Sequence, residues 1–210
     1  MHTYDIDSRE RRNVAFVLAV LAIATAFVLH LVINLVGGDW WWIVDIPAPF
    51  GAFLLLYWLF DRWAWRNRWI RRVLGLRTPL LYGEWTGTLE SSHDGKTHSF
   101  RLNIEQSWTR MSVCARGPQS RSSSKTASVL TRHGRHPLLV YTYFNEPAPD
   151  APNTMHMHYG TAIHELDEDN QGLDGHYYTG RDRTTHGSMT LARKHQEPSG
   201  DRVAQPPPSS

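Results

Sequence analysis

Val14 to Val36 is a run of 23 residues without a formal charge. At about 1.5 Å per residue, a helix over this run would be roughly 34 Å long, enough to cross a hydrocarbon core of about 30 Å. A secretory signal fits less well. Its apolar core is about 7–15 residues and ends at a small-residue cleavage site, whereas this run leads into Gly37-Gly38-Asp39 and then Trp40, Trp41 and Trp42. The chain is therefore expected to be tied to a membrane near its N-terminus.

A second apolar stretch follows, Ile46 to Phe60, which reaches 19 residues if counted from Trp42. That is close to the lower limit of about 17 residues for a span. Pro47 and Pro49 sit at its entry end, where a missing backbone donor costs little. Trp40 to Trp42 flank one end of this stretch, and Trp58, Trp63, Trp65 and Trp69 flank the other. Tryptophan favours the headgroup interface, so these read as two aromatic belts. The loop Gly37 to Asp45 holds two acids and no Lys or Arg, while Arg9, Arg11 and Arg12 precede the first span. Arg62, Arg66, Arg68, Arg71, Arg72 and Arg77 follow the second. Positive flanks stay inside, which puts both termini and everything after residue 61 on the cytoplasmic side. Placed directly after an apolar run, this arginine cluster suits anionic lipid headgroups better than a nucleic-acid polymer.

From Leu80 the texture changes to short alternating segments punctuated by Gly, Pro, Asn, Asp and Ser. Eight strands are expected, over 83–91, 98–106, 108–116, 121–131, 137–145, 156–166, 172–181 and 186–194. The fold class is thus membrane-anchored all-β: two N-terminal transmembrane helices, then a small eight-stranded antiparallel up-and-down β-barrel of minimal, lipocalin-like form. Closure removes sheet edges, and eight strands leave room for packed side chains or one small ligand. The expected division is 1–13 cytoplasmic N-terminus, 14–60 two-helix anchor, 61–79 arginine-rich linker, 80–194 sensing barrel and 195–210 disordered tail. Cys114 has no partner for an internal disulfide.

Alternation assigns faces. One face of 141–145 carries Tyr141, Tyr143 and Asn145, and one face of 175–181 carries Tyr177, Thr179 and Arg181. A barrel built only for stability would place Val, Ile and Leu inside. If these sets face inward, they suit a polar ligand with flat rings and negative charge; the alternative is that they face solvent.

Several ordered patterns carry a resemblance: Gly83-Glu84-Trp85-Thr86-Gly87, Ser91-Ser92, Gln106-Ser107-Trp108 and Ser122-Ser123-Ser124, then Tyr141-Thr142-Tyr143-Phe144-Asn145-Glu146-Pro147, His158-Tyr159-Gly160-Thr161-Ala162 and Gly175-His176-Tyr177-Tyr178-Thr179-Gly180-Arg181. With two preceding spans, the chain resembles the two-transmembrane, β-strand-rich effectors of bacterial CBASS anti-phage systems, the CD-NTase-associated membrane β-barrel effectors. That resemblance implies a barrel that binds a cyclic dinucleotide made by a partner nucleotidyltransferase. It also implies homo-oligomerisation on activation and disruption of the bacterial inner membrane, causing abortive infection. In that setting Arg181 would clamp a phosphate. Tyr141, Tyr143, Tyr177 or Trp85 would stack on bases, Asn145 would read a base edge, and Ser122, Ser124 and Thr179 would donate to phosphate or ribose. Trp85 has a second reading as a lipocalin-type plug of the barrel floor. Tyr178 stands where phenylalanine is expected in many relatives.

No cofactor and no catalysis are expected. The sequence has no Gly-x-Ser-x-Gly elbow and no phosphate-binding loop. His156, His158, His133 and His136 lack a compact partner set for zinc. His30 and Asn34 share a helical face, either as an interhelical contact or simply near the outer interface. Two other functions stay open: a membrane-tethered lipocalin-like binder of an apolar small molecule, and a membrane-anchored hydrolase. An inward Leu/Val/Met lining would favour the first of these; inward Tyr, Asn and Arg would favour the nucleotide.

Overall fold

The structure, a computed structural model, describes residues 1–36, 48–151, 156–180 and 184–194. Helix α1 (Glu10–Val36) and helix α2 (Ala48–Arg62) pack against each other. Val14, Leu18 and Ala22, spaced four apart on α1, form the buried stripe. Phe16, Ile23, Phe27 and Leu35 on its other faces are more than half exposed, so most of the helix presents hydrocarbon outward. Among the described residues, α1 is the one helix long and apolar enough to cross a membrane. The 15 residues of α2 would reach only about 22 Å. Trp40, Trp41 and Trp42, expected to form the aromatic belt at the entry of the second span, lie outside the described residues. His30 and Asn34 meet within α1, at 2.8 Å between Asn34 Nδ2 and His30 Nε2.

After α2 the chain makes a 3-10 turn (Ala64–Arg66) and a short helix α3 (Arg68–Leu74). Asn67 starts α3, its Oδ1 accepting from Trp69 N at 2.9 Å, and Gly75 stops it at φ +63°. The expected second belt is only partly a belt. Trp58, Trp63 and Trp69 are exposed, but Trp65 is fully buried. Its ring packs against Trp108, which also meets Phe60 edge-on at 5.4 Å.

The barrel runs β3 (Gly83–Ser91), β4 (Thr97–Gln106), β5 (Arg110–Arg116), β6 (Ser120–Leu130), β7 (Leu138–Pro147), β8 (His158–Leu166), β9 (Gly172–Thr179) and β10 (His186–Arg193). Each strand pairs antiparallel with the next, and β10 closes on β3. The third expected strand starts at residue 110 rather than 108 because Asp61 captures the preceding turn. Its carboxylate accepts from Ser107 Oγ, Thr109 N and Thr109 Oγ1, and its carbonyl accepts from Trp108 N. A bulge at Lys125 on β6 resets alternation, so even-numbered residues up to Ser124 and then Ala127 and Val129 all share the inner face.

The N-terminus carries two strands that the sequence did not suggest, β1 (His2–Thr3) and β2 (Asp5–Ile6). Direct β5–β6 pairing covers only Cys114–Arg116 against Arg121–Ser123. Lower down the two strands part, and residues 2–6 fill the gap. β1 pairs antiparallel with β5, β2 pairs parallel with β6, and Tyr4 and Ile6 point into the core. Asp7 then fastens this strap to the β6–β7 turn, accepting from Thr131 N, Thr131 Oγ1 and Arg132 N.

Helices and barrel floor share buried polar contacts. The Glu10 carboxylate accepts from Arg77 N, Thr78 N and Thr78 Oγ1. Gln106 accepts from Leu81 N and donates to Pro79 O. Arg66 Nη2 donates to Gln106 O at 2.6 Å. Each such group is worth its desolvation cost if left unpaired, so segment 61–79 is a folded collar, not a loose tether.

Candidate functional site

Below mid-height the barrel is solid. Trp85, Leu102, Ile104, Val113, Leu139 and Leu173 are all at most 1 % exposed. Above them lies a cavity of about 480 Å3, within the ordinary range of small-molecule sites of about 300–1,000 Å3. The turns that rim it, such as Ser91–Lys96 and Gly117–Ser120, belong to the end opposite the helices.

Five of the expected site residues meet on its wall: Tyr141, Tyr143, Asn145, Tyr177 and Ser122. The Tyr141 and Tyr143 rings are 6.2 Å apart at 54°, and His158 meets Tyr143 edge-on. Glycines on neighbouring strands make room for the rings. A Cβ on Gly160 would strike the Tyr143 phenol, and one on Gly187 would come within 2.6 Å of Tyr177 Cε1. Tyr177 Oη donates to Ser91 Oγ at 3.1 Å.

Asn145 is 8 % exposed, and its Nδ2 donates to Ser122 Oγ at 2.9 Å and Ser120 Oγ at 3.2 Å. Its Oδ1 is buried and has no hydrogen-bond partner. A buried acceptor left unpaired costs about 1–3 kcal/mol, and the residue that carries it lines the cavity wall.

Three expected residues sit elsewhere. Trp85 fills the floor, its Nε1 donating to Leu81 O at 3.0 Å and its face under the Arg193 guanidinium at 4.3 Å. The floor-plug reading therefore describes its place. Ser124 lies below the cavity, where its Oγ accepts from Val113 N and meets His2 Nε2 at 2.7 Å. Thr179 is tied to the β9–β10 turn, its Oγ1 accepting from Thr185 N. Arg181 lies outside the described residues.

Sequence reasoning missed Lys96, His98 and Phe100, which also line the cavity. Lys96 closes the Asp94-Gly95-Lys96 turn, and His98 Nε2 meets Asp94 Oδ2 at 2.9 Å. The backbone N–H of Lys96, followed by His98, holds the Asp94 carboxyl below its usual range. A hairpin turn at a barrel mouth was the available signal for this group.

Deeper in, Tyr141 Oη meets Nε2 of the fully buried His164 at 3.3 Å. Burial, then the nearby His176, pulls His164 down to about 4, and burial pushes the Tyr141 phenol up. Among the described residues there is no group of three or more His, Cys, Asp or Glu side chains that could hold a metal ion.

Residues 76–193 match the family described as the Cap15 cyclic dinucleotide receptor domain, and residues 12–66 match the Cap15 TM helices. The chain belongs to the Cap15 family. It is 32% identical over 144 residues to CD-NTase-associated protein 15 of Yersinia aleksiciae, covering 68% of each chain. Both Cap15 regions map onto features already described: the receptor-domain match takes in the whole eight-stranded barrel, and the helix match takes in most of α1, all of α2 and the buried Trp65. The sequence resemblance to CBASS effectors and the family match agree.

Proposed function

We propose that this chain is an anti-phage effector whose cavity receives a cyclic dinucleotide made by a partner nucleotidyltransferase. In this reading α1 is one span, and α2 with the residues before it completes a second. Both termini and the barrel lie on the cytoplasmic side of a bacterial inner membrane. Ligand binding drives homo-oligomerisation, and the assembled helices disrupt the bilayer. Coupling requires tighter ligand binding to the assembled state than to the unassembled one.

The observation that carries the reading is the unpartnered Asn145 Oδ1 on a residue that shares the cavity wall with the Tyr143 and Tyr177 rings. A nucleobase supplies both the exocyclic or ring N–H that this oxygen lacks and a flat face for tyrosine to stack on, the latter worth about 1–3 kcal/mol per base. Lys96 at the mouth suits the phosphates, with Arg181 as the guanidinium clamp on the strength of its sequence pattern. The domain scheme follows: 14–60 anchors, 61–79 couples and 80–194 senses.

The test is titration of the full-length chain in lipid nanodiscs against the 3′,3′-cyclic homodinucleotides of the four bases. Light scattering would follow assembly, and dye release from anionic vesicles would follow membrane damage. Tight binding of one member, with assembly and leakage that require it, is expected. A folded chain that binds none of them, or that purifies with an apolar molecule in the barrel, would sink the reading.

A further inference from the structure

His164 is out of place among its neighbours. The lower barrel is otherwise mostly apolar, its other inward polar groups such as Gln106 and Ser124 being hydrogen-bonded, and a phenylalanine could fill the same volume without burying polar nitrogens. Its ring instead stacks on Tyr141, with centroids 5.7 Å apart and planes within 10°, and shares one hydrogen bond with it. The second nitrogen, Nδ1, is buried with no partner. It faces the bare Cα side of Gly175, where an added Cβ would come within 2.9 Å of it.

That orphan nitrogen decides where the protons sit. A neutral imidazole carries one N–H and one lone pair. If Nδ1 held the hydrogen, a buried donor would have no acceptor, which proteins avoid more strictly than an under-used acceptor. The hydrogen therefore sits on Nε2 and is donated to Tyr141 Oη. The burial that keeps the ring neutral supports this, since a cation would make both nitrogens donors. With its oxygen already accepting, the Tyr141 hydroxyl hydrogen is not committed to His164.

We infer that His164 is a positioning residue: its Nε2–H fixes the Tyr141 hydroxyl as a hydrogen-bond donor toward the cavity, where it meets an acceptor atom on a nucleobase of the ligand. This inference rests on the receptor reading above and adds to it. The cavity wall then presents opposite polarities on one strand, an acceptor from Asn145 near the mouth and a donor from Tyr141 near the floor. Four residues apart on β7, they stand about 13 Å apart along the strand, so the acceptor and the donor serve different bases of a cyclic dinucleotide.

The experiment is a double-substitution cycle on the full-length chain in nanodiscs, using whichever of the four homodinucleotides binds the wild type most tightly. Tyr141→Phe and His164→Leu are each expected to weaken binding about tenfold, the scale of one lost hydrogen bond. The double variant is expected to be no weaker than Tyr141→Phe alone, because His164 acts through the hydroxyl. His164→Gln, which keeps an N–H donor, should restore part of the loss. A further tenfold loss in the double variant, or full binding by His164→Leu, would overturn the inference while leaving the receptor reading intact. Should the wild type bind none of the four, the receptor reading and this ligand assignment fail together. Nitrogen-15 spectra of the wild-type histidines test the first step without any ligand and without relying on a variant that folds. A protonated Nδ1 on His164 would refute it.

Discussion

On β7 the inward residues run Leu139, Tyr141, Tyr143, Asn145 from the helix-facing end to the open end. On β6 the same journey goes from Val129 and Ala127 to Ser122, and on β9 from Leu173 to Tyr177. The upper and lower halves of the interior thus share the same eight strands but differ in side-chain chemistry. The lower half is close-packed and mostly apolar, which supplies stability. The upper half places amphipathic rings over glycines and leaves about 480 Å3 unfilled. One closed barrel can therefore be rigid at the helix end and receptive at the far end, without needing a second domain.

The largest effect should come from the lower half. Trp85→Ala removes a fully buried ring, its hydrogen bond to Leu81 O and the surface on which Arg193 rests. A loss of about 3–5 kcal/mol is expected in chemical denaturation. Truncating Tyr143, which already borders open volume, should cost clearly less. If the two truncations cost the same, the division between a stabilising floor and a binding rim is wrong.

A second prediction uses the boundary between the halves. His164 titrates near 4 when folded and near 6.5 when unfolded. Between those values the unfolded chain binds more protons, so stability is full above about pH 6.5 and falls as pH drops toward 4. The total loss is on the order of 3 kcal/mol, measured as a falling denaturation midpoint. His164→Phe should flatten this dependence. A wild-type midpoint that stays level across that window would mean the imidazole is not held neutral by burial.

The third effect belongs to the upper half. Asn145→Ala removes the oriented acceptor along with two hydrogen bonds to serine hydroxyls that can turn to water. Ligand affinity should fall about tenfold to a hundredfold, with stability changed by less than about 1 kcal/mol. Equal damage to both would place Asn145 in the structural half.

Much of this division was legible in the sequence, because strand alternation is strict wherever the inside is dry. It placed all eight barrel strands close to their observed limits and set Tyr141, Tyr143 and Asn145 on one face of their strand and Tyr177 on one face of its own; whether those faces point inward it left open, and Ser122 was named only through the family resemblance. It failed where long-range contacts override local pattern. Trp65 sits in a run of tryptophans and arginines that reads as an interfacial belt, yet packing against Trp108 buries it. Ser124 obeys the same alternation as Ser122, but depth along the strand, which alternation does not encode, puts it beneath the cavity. Strands β1 and β2 are two residues each, too short to show any period, and they exist only because β5 and β6 part to admit them.

That strap supplies the smallest predicted effect and the sharpest control on the comparison. Asp7 sits just after β2, and its carboxylate accepts three hydrogen bonds from Thr131 and Arg132. Burial alone would raise its pKa. The Thr131 bonds, the Arg132 backbone bond and the Arg132 charge outweigh it and hold the group below its usual value. A depressed carboxyl contributes stability that is present above the ordinary aspartate range and lost as pH falls through the folded value. Its acid window therefore opens below about pH 4, separate from that of His164. Asp7→Ala should cost about 1–2 kcal/mol by stranding those donors and should remove only the more acidic of the two losses. Ligand affinity should be unchanged, because the seam that the strap fills lies in the stabilising half while the cavity is lined from above it. If Asp7→Ala weakens ligand binding by more than its small effect on folding explains, the two halves are mechanically continuous through the strap. The peptide that leads into α1 would then be the element by which an occupied cavity is felt at the membrane.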